Sequence, residues 1–186
     1  MRKKGQMSSG EIVLAYFIFF IALTAAVTLW MDSSNRIQGT NRFTDFENTA
    51  SDAAEKLIRT KGIPENWTEE DVSTIGLANE PMTLDNGKLI AFVKLMNDTE
   101  PSTKPGCSGI SNYECNKELI GIGAYNFNFT ILNLDGSPVQ INNVTIVAGR
   151  NPVDVTDQLT LTRPVIVNNN VTKMVITFWY VNGGPA

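Results

Sequence analysis

Residues 12–31 read IVLAYFIFFIALTAAVTLWM, twenty positions without a charge. At ~1.5 Å per residue they form a helix of about 30 Å, the depth of one hydrocarbon core. The pattern therefore predicts a helix that spans a membrane or is buried as completely by protein. Trp30 stands at its outer end, where an amphipathic indole suits the interface, and Arg2, Lys3 and Lys4 lie before its start. That asymmetry places the N-terminus on the cytoplasmic side and the C-terminus outside. A secretory signal that is removed would have a shorter apolar region ending in small residues. Ala22, Ala25 and Ala26 keep that alternative open, and a plain signal anchor is a second one.

The period then changes. Phe43, Phe46, Ala50, Ala53, Ala54, Leu57 and Ile58 recur at spacings of three and four, with Asp45, Glu47, Asp52, Glu55 and Lys56 between them. This is an amphipathic helix with one face packed on a domain. A polar stretch, Asp32–Asn41 with Gly39, separates the two helical signals and is a place for a bend. Gly62 and Pro64 stop the helix, glycine as a left-handed cap and proline as a terminator. Unbroken, Glu11–Arg59 would extend roughly 74 Å. The alternative is a separate helix after a flexible neck.

Beyond residue 62 the pattern reads as β. Gly87–Leu95 is an expected strand after the turn residues Asp85-Asn86-Gly87. Tyr125, Phe127, Phe129 and Ile131 alternate with Asn126, Asn128 and Thr130, the mark of a half-buried strand with one polar face. Asp135-Gly136-Ser137-Pro138 is a turn, with Val139–Val147 as the hairpin partner. Gln158–Val167 and Val171–Val181 pair around Asn168-Asn169-Asn170, and Pro164 suits an edge or a bulge. Val175–Val181 is apolar on both sides, so it belongs near the centre of a sheet. The expected fold is α+β: a long N-terminal helix whose C-terminal half packs on an antiparallel sheet or sandwich of five or six strands. The expected divisions are 1–5, 6–31, 32–61 and 62–186.

The net charge of −4 hides an imbalance. Residues 1–31 carry +2 (Arg2, Lys3, Lys4 and Glu11), which leaves −6 for the remainder. An acidic outer domain has no electrostatic footprint for nucleic acid. There is no histidine, so histidine-based triads, His-ligated zinc and imidazole switches drop out together. Two cysteines, Cys107 and Cys115, cannot complete a four-ligand zinc site. No cofactor, no metal and no enzymatic activity are expected.

Glu11 opens the apolar run. A carboxylate at a membrane edge is costly unless solvated or paired. At a helix N-terminus the macrodipole also favours it, and Ser8 or Ser9 can cap the same end. The run Lys3-Lys4-Gly5-Gln6-Met7-Ser8, followed by a glutamate and an apolar stretch, resembles the class III signal peptide of archaeal type IV pilin-like proteins. The resemblance covers about the first 31 residues. It implies that a membrane prepilin peptidase cuts between Gly5 and Gln6. The apolar helix then stays on the mature subunit, and Glu11 is the carboxylate that pairs with a neighbour's terminal amine during assembly. The family places that glutamate at mature position five, whereas Ser9-Gly10 puts Glu11 at position six, a turn of about 100° on a helix. Residues 60–68, TKGIPENWT, also resemble a stretch that recurs in these proteins, with Pro64 fixing a turn and Trp67 an apolar anchor. The implied function is a structural subunit of an archaeal surface filament or secretion-type assembly. It would pack with copies of itself or other pilins through its N-terminal helix. The alternative is an uncleaved, membrane-anchored binding module, archaellum stator-like or S-layer-associated.

Outside a membrane, Cys107 and Cys115 are expected to form a disulfide closing a Gly- and Ser-rich loop. Five Asn-x-Thr sequons, at Asn66, Asn97, Asn128, Asn143 and Asn170, are candidate sites of N-glycosylation.

Overall fold

The computed structural model of the chain describes residues 9–104, 106–153, 155 and 158–180, and of residues 9 and 35–42 the backbone only. The first helix, α1, runs Ser9–Arg59. The chain divides into two compact units, residues 1–46 and 47–186. The last turns of α1 therefore belong to the second unit. Val181, expected to end the last strand, lies outside the described residues.

In the second unit α1 is followed by β1 (Gly62–Ile63), β2 (Thr74–Ile75), β3 (Ala78–Glu80), β4 (Thr83–Leu84) and α2 (Asn86–Asn97). Next come α3 (Asn112–Asn116), a 3-10 turn at Lys117–Ile120, β5 (Tyr125–Leu132), β6 (Gln140–Ile141), β7 (Val144–Thr145) and β8 (Val147–Gly149). The last two strands are β9 (Gln158–Val167) and β10 (Asn170–Tyr180). Six strands make one mixed sheet in the order β3-β4-β9-β10-β5-β8, and β1–β2 and β6–β7 form two small hairpin sheets. Only the β4–β9 pair of the six-stranded sheet is parallel. The layout is thus α+β, built on one mixed six-stranded sheet.

β10 is central, as its two-sided apolar pattern predicts: it pairs along its length with β9 and β5. On one face Phe127, Phe129, Ile131, Met174, Ile176 and Phe178 are fully buried. That core is closed by Ala50, Ala53, Ala54, Leu57 and Ile58 of α1 and by Leu89, Phe92 and Met96 of α2, all buried. Phe92 sits edge-on to Phe129 at 5.0 Å and 6.0 Å from Phe127. Phe43, expected on the buried face of α1, is 48% exposed, and the first buried side chain of α1 among the described residues is Phe46.

Three expectations need correction. Gly87–Leu95 is not a strand but most of α2. Its buried Leu89, Phe92, Val93 and Met96 fall at helical spacing, and Asp85 caps the helix by accepting from the Lys88 amide at 3.0 Å. Val139–Val147 is not one hairpin strand. Asn142 and Asn143 both take positive φ (51° and 64°), so the segment folds on itself as β6–β7. On the side of β5 away from β10, the pairing strand is β8.

Gly62 is not the cap of α1. The helix ends three residues earlier, and its last carbonyls are taken by backbone amides of the following loops. Leu77 N–H donates to Leu57 O at 2.8 Å, Met82 N–H to Ile58 O at 2.8 Å, and Ala78 N–H to Thr60 O at 3.0 Å. Gly62 keeps its positive φ (85°) for another reason: a Cβ there would lie 2.6 Å from Trp67 Cδ1 and 2.7 Å from Thr74 O.

Candidate functional site

The apolar segment is best considered by itself. Gly10–Ser34 is a helix long and apolar enough to cross a membrane. Its large side chains lie open: Phe17 is 66% exposed, Ile21 67% and Trp30 77%. Fully burying such a side chain contributes about 1.5–3 kcal/mol, so a helix of this kind is stable only against lipid or protein. Its two threonine hydroxyls are turned inward: Thr24 donates to Phe20 O at 2.8 Å and Thr28 to Ala25 O at 2.9 Å. That arrangement leaves neither threonine hydrogen needing an outside partner.

Glu11, Ala15 and Phe19 follow one another at i, i+4 and i+8 and, with Ile12 and Tyr16, line a shallow groove along the helix. Glu11 lies within the first turn of α1. The expected cleavage residues Gly5 and Gln6 lie outside the described residues.

The second unit holds a polar cluster that sequence reading missed. Tyr113, on α3, is fully buried and donates to Asn126 Oδ1 at 3.2 Å, while its hydroxyl oxygen accepts from Phe127 N–H at 3.3 Å. Burial pushes the Tyr113 phenol up to about 12. Lys117, also buried, donates to Asn126 Oδ1 at 3.4 Å and pairs with Glu114 at 2.6 Å. The Arg150 guanidinium lies 4.7 Å from the centre of the Tyr113 ring. Beside them a cleft is lined by Thr99, Asn126, Arg150, Asn151, Val153 and Trp179. Ser111-Asn112-Tyr113-Glu114 carries the Ser-x-x-Glu spacing of a helix start, and Ser111 caps α3 by accepting from the Glu114 amide. That was the available signal.

Cys107 and Cys115 form the expected disulfide, with Cα atoms 5.7 Å apart. It ties the loop after α2 to α3, next to the Asn116 amide, which donates to Leu95 O at 2.8 Å and accepts from Lys104 Nζ at 2.7 Å. Lys88, nearly buried, donates to Lys61 O at 2.7 Å, and burial lowers its pKa. Glu55 of α1 accepts from Arg163 of β9 at 2.9 Å, and the Arg163 and Arg59 guanidiniums hold its carboxyl below the usual range.

The five sequons separate. Asn66, Asn97, Asn143 and Asn170 are exposed, and Asn128 is half-buried. Asn97 bridges α2 to β8 with both ends of its amide, donating to Val147 O at 3.0 Å and accepting from Gly149 N–H at 3.0 Å. Asn128 donates to Arg150 O at 3.1 Å. Among the described residues no group of His, Cys, Asp or Glu is arranged to hold a metal ion.

A long apolar N-terminal helix followed by a β domain is compatible with a pilin-like layout. No family model, no curated protein and no solved structure matches the chain.

Proposed function

We propose that the chain is a type IV pilin-like subunit: a membrane-inserted precursor whose apolar helix is kept and becomes the packed core of a surface filament or secretion-type assembly. The observation that carries this reading is one helix, Ser9–Arg59, that contains an open apolar span and also supplies core residues to the β domain. A discarded signal has no reason to be continuous with the domain's own core. In the assembly, Ala22, Ala25 and Ala26 permit close approach of neighbouring helices, while Phe17, Phe19 and Phe20 fill the space between them. The β domain faces outward and carries the specificity of the surface.

Mass spectrometry of the mature N-terminus tests it. A chain starting at Gln6 is expected, and Gly5→Val is expected to leave the leader in place and abolish incorporation into filaments. A soluble product starting near residue 27 would overturn the reading. One observation favours a second reading, an uncleaved membrane-anchored module: Glu11 comes one residue later than the resembled pattern. An intact leader on the wild-type chain selects it.

A further inference from the structure

An N-glycan acceptor must present its side-chain nitrogen, and the motif's demand for Ser or Thr two residues on means that the hydroxyl must be reachable too. The fold meets both demands at one of the five sequons. Asn143 occupies the tip of the two-residue turn between β6 and β7, with φ of 64°, and is exposed. Its Thr145 is exposed on β7. Neither side chain makes a hydrogen bond among the described residues.

Each of the others fails on one demand. The Asn66 amide is open, but Thr68 gives its hydroxyl to Asp71 at 2.8 Å. Asn170 is open, but Thr172 is 2% exposed and donates to Val165 O at 3.2 Å. The Asn97 amide is fixed at both ends between α2 and β8, so a glycan there would detach the edge strand. Asn128 is half-buried in the middle of β5, its amide on Arg150 O and its Thr130 hydroxyl 3.5 Å from its own Oδ1.

We propose that Asn143 is the principal N-glycan acceptor of the folded domain. The donor is a lipid-phosphate-linked oligosaccharide supplied by the cell. Asn143 Nδ2 bonds to the anomeric carbon, the bond from that carbon to the phosphate oxygen breaks, and the lipid phosphate leaves with the electron pair as the amide gives up one proton. A glycan at this tip projects from a hairpin that lies outside the six-stranded sheet, so it disturbs no ladder. The inference rests on the outward placement of the β domain in the reading above, and not on leader cleavage.

The test is glycopeptide mass spectrometry of the full chain, purified in mild detergent from the cells that make it. Occupancy is expected to be higher at Asn143 than at any other sequon. Thr145→Val, which keeps the Asn142-Asn143 turn, should lower the intact mass by one glycan, and Thr145→Ser should restore it. A bare Asn143, or higher occupancy at any of the other four sequons, overturns the proposal. The same spectra give the N-terminus. A start at Gln6 with a bare Asn143 refutes the glycan site alone, and an intact leader with a glycan on Asn143 refutes leader cleavage alone.

Discussion

Gly62 and Gly121 have nearly equal backbone angles, φ of 85° and 81°, but opposite surroundings. Gly121 has no atom within 4 Å of where a Cβ would sit, whereas at Gly62 that Cβ would stand 2.6 Å from Trp67 Cδ1 and 2.7 Å from Trp67 Nε1. Gly121→Ala therefore measures the backbone alone, about 1–2 kcal/mol for an L-residue at positive φ. Gly62→Ala adds the displacement of Trp67. That indole is 4% exposed and its Nε1 donates to Gly76 O at 2.8 Å. Losing the hydrogen bond costs about 1 kcal/mol and loosening a buried indole a further ~1–3. The expected gap between the two variants is roughly 2–4 kcal/mol, or about 5–12 °C in melting temperature for a domain of this size. Thermal unfolding of the full chain in detergent, followed by tryptophan fluorescence, reads it. If the two variants melt within about 1 °C of each other, the glycine is not there to seat Trp67 and the reasoning fails.

Two further outcomes follow from the polar cluster and the disulfide. The Tyr113 phenol, raised to about 12, ionises later in the folded protein than in the unfolded chain, where it titrates near 10. The stability it contributes is present below the unfolded value and falls as pH rises between the two, by roughly 2–3 kcal/mol in all. Phenolate absorbance should lose a late-titrating component in Tyr113→Phe; a titration curve whose late part is unchanged by the substitution refutes the assignment. Reducing Cys107–Cys115 opens a short loop worth about 2–3 kcal/mol in the chain-entropy model, so the reduced protein should melt several degrees lower. An unchanged melting temperature would show that the loop is held by Asn116 and Tyr113 without it.

The parts legible in the sequence are those in which one periodicity ran long enough to settle the element. The twenty-residue apolar run, the alternation through Tyr125–Ile131 and the ten- and eleven-residue strands around Asn168-Asn169 all had that length. Gly87–Leu95 did not. Leu89, Ile90, Ala91, Phe92 and Val93 form a contiguous apolar block that fits a buried strand or a helix equally. The helical spacing is complete only at Met96, beyond the expected boundary. Asp-Asn-Gly is a turn signal in sequence, whereas the fold uses Asp85 as a helix cap. The end of α1 is illegible for a different reason: its carbonyls are satisfied by amides some twenty residues on, a long-range arrangement with no local signature. The Tyr113–Asn126–Lys117 cluster is long-range in the same way. Of the candidate sites, the disulfide was readable from compartment and count, and the sequons as a motif. Their division into open and tethered amides depends on neighbours from other strands.

Pro164 has a consequence for how these molecules live side by side. Ile166 N–H points away from β10 to Met82 O, and the alternation of a strand puts the backbone nitrogen of residue 164 on the same outward side. That nitrogen has no hydrogen, so the rim of β9 lacks a donor just where the short β4 stops shielding it. Wherever copies of the chain come close together, they are therefore denied a continuous template for zipping sheet to sheet along this rim.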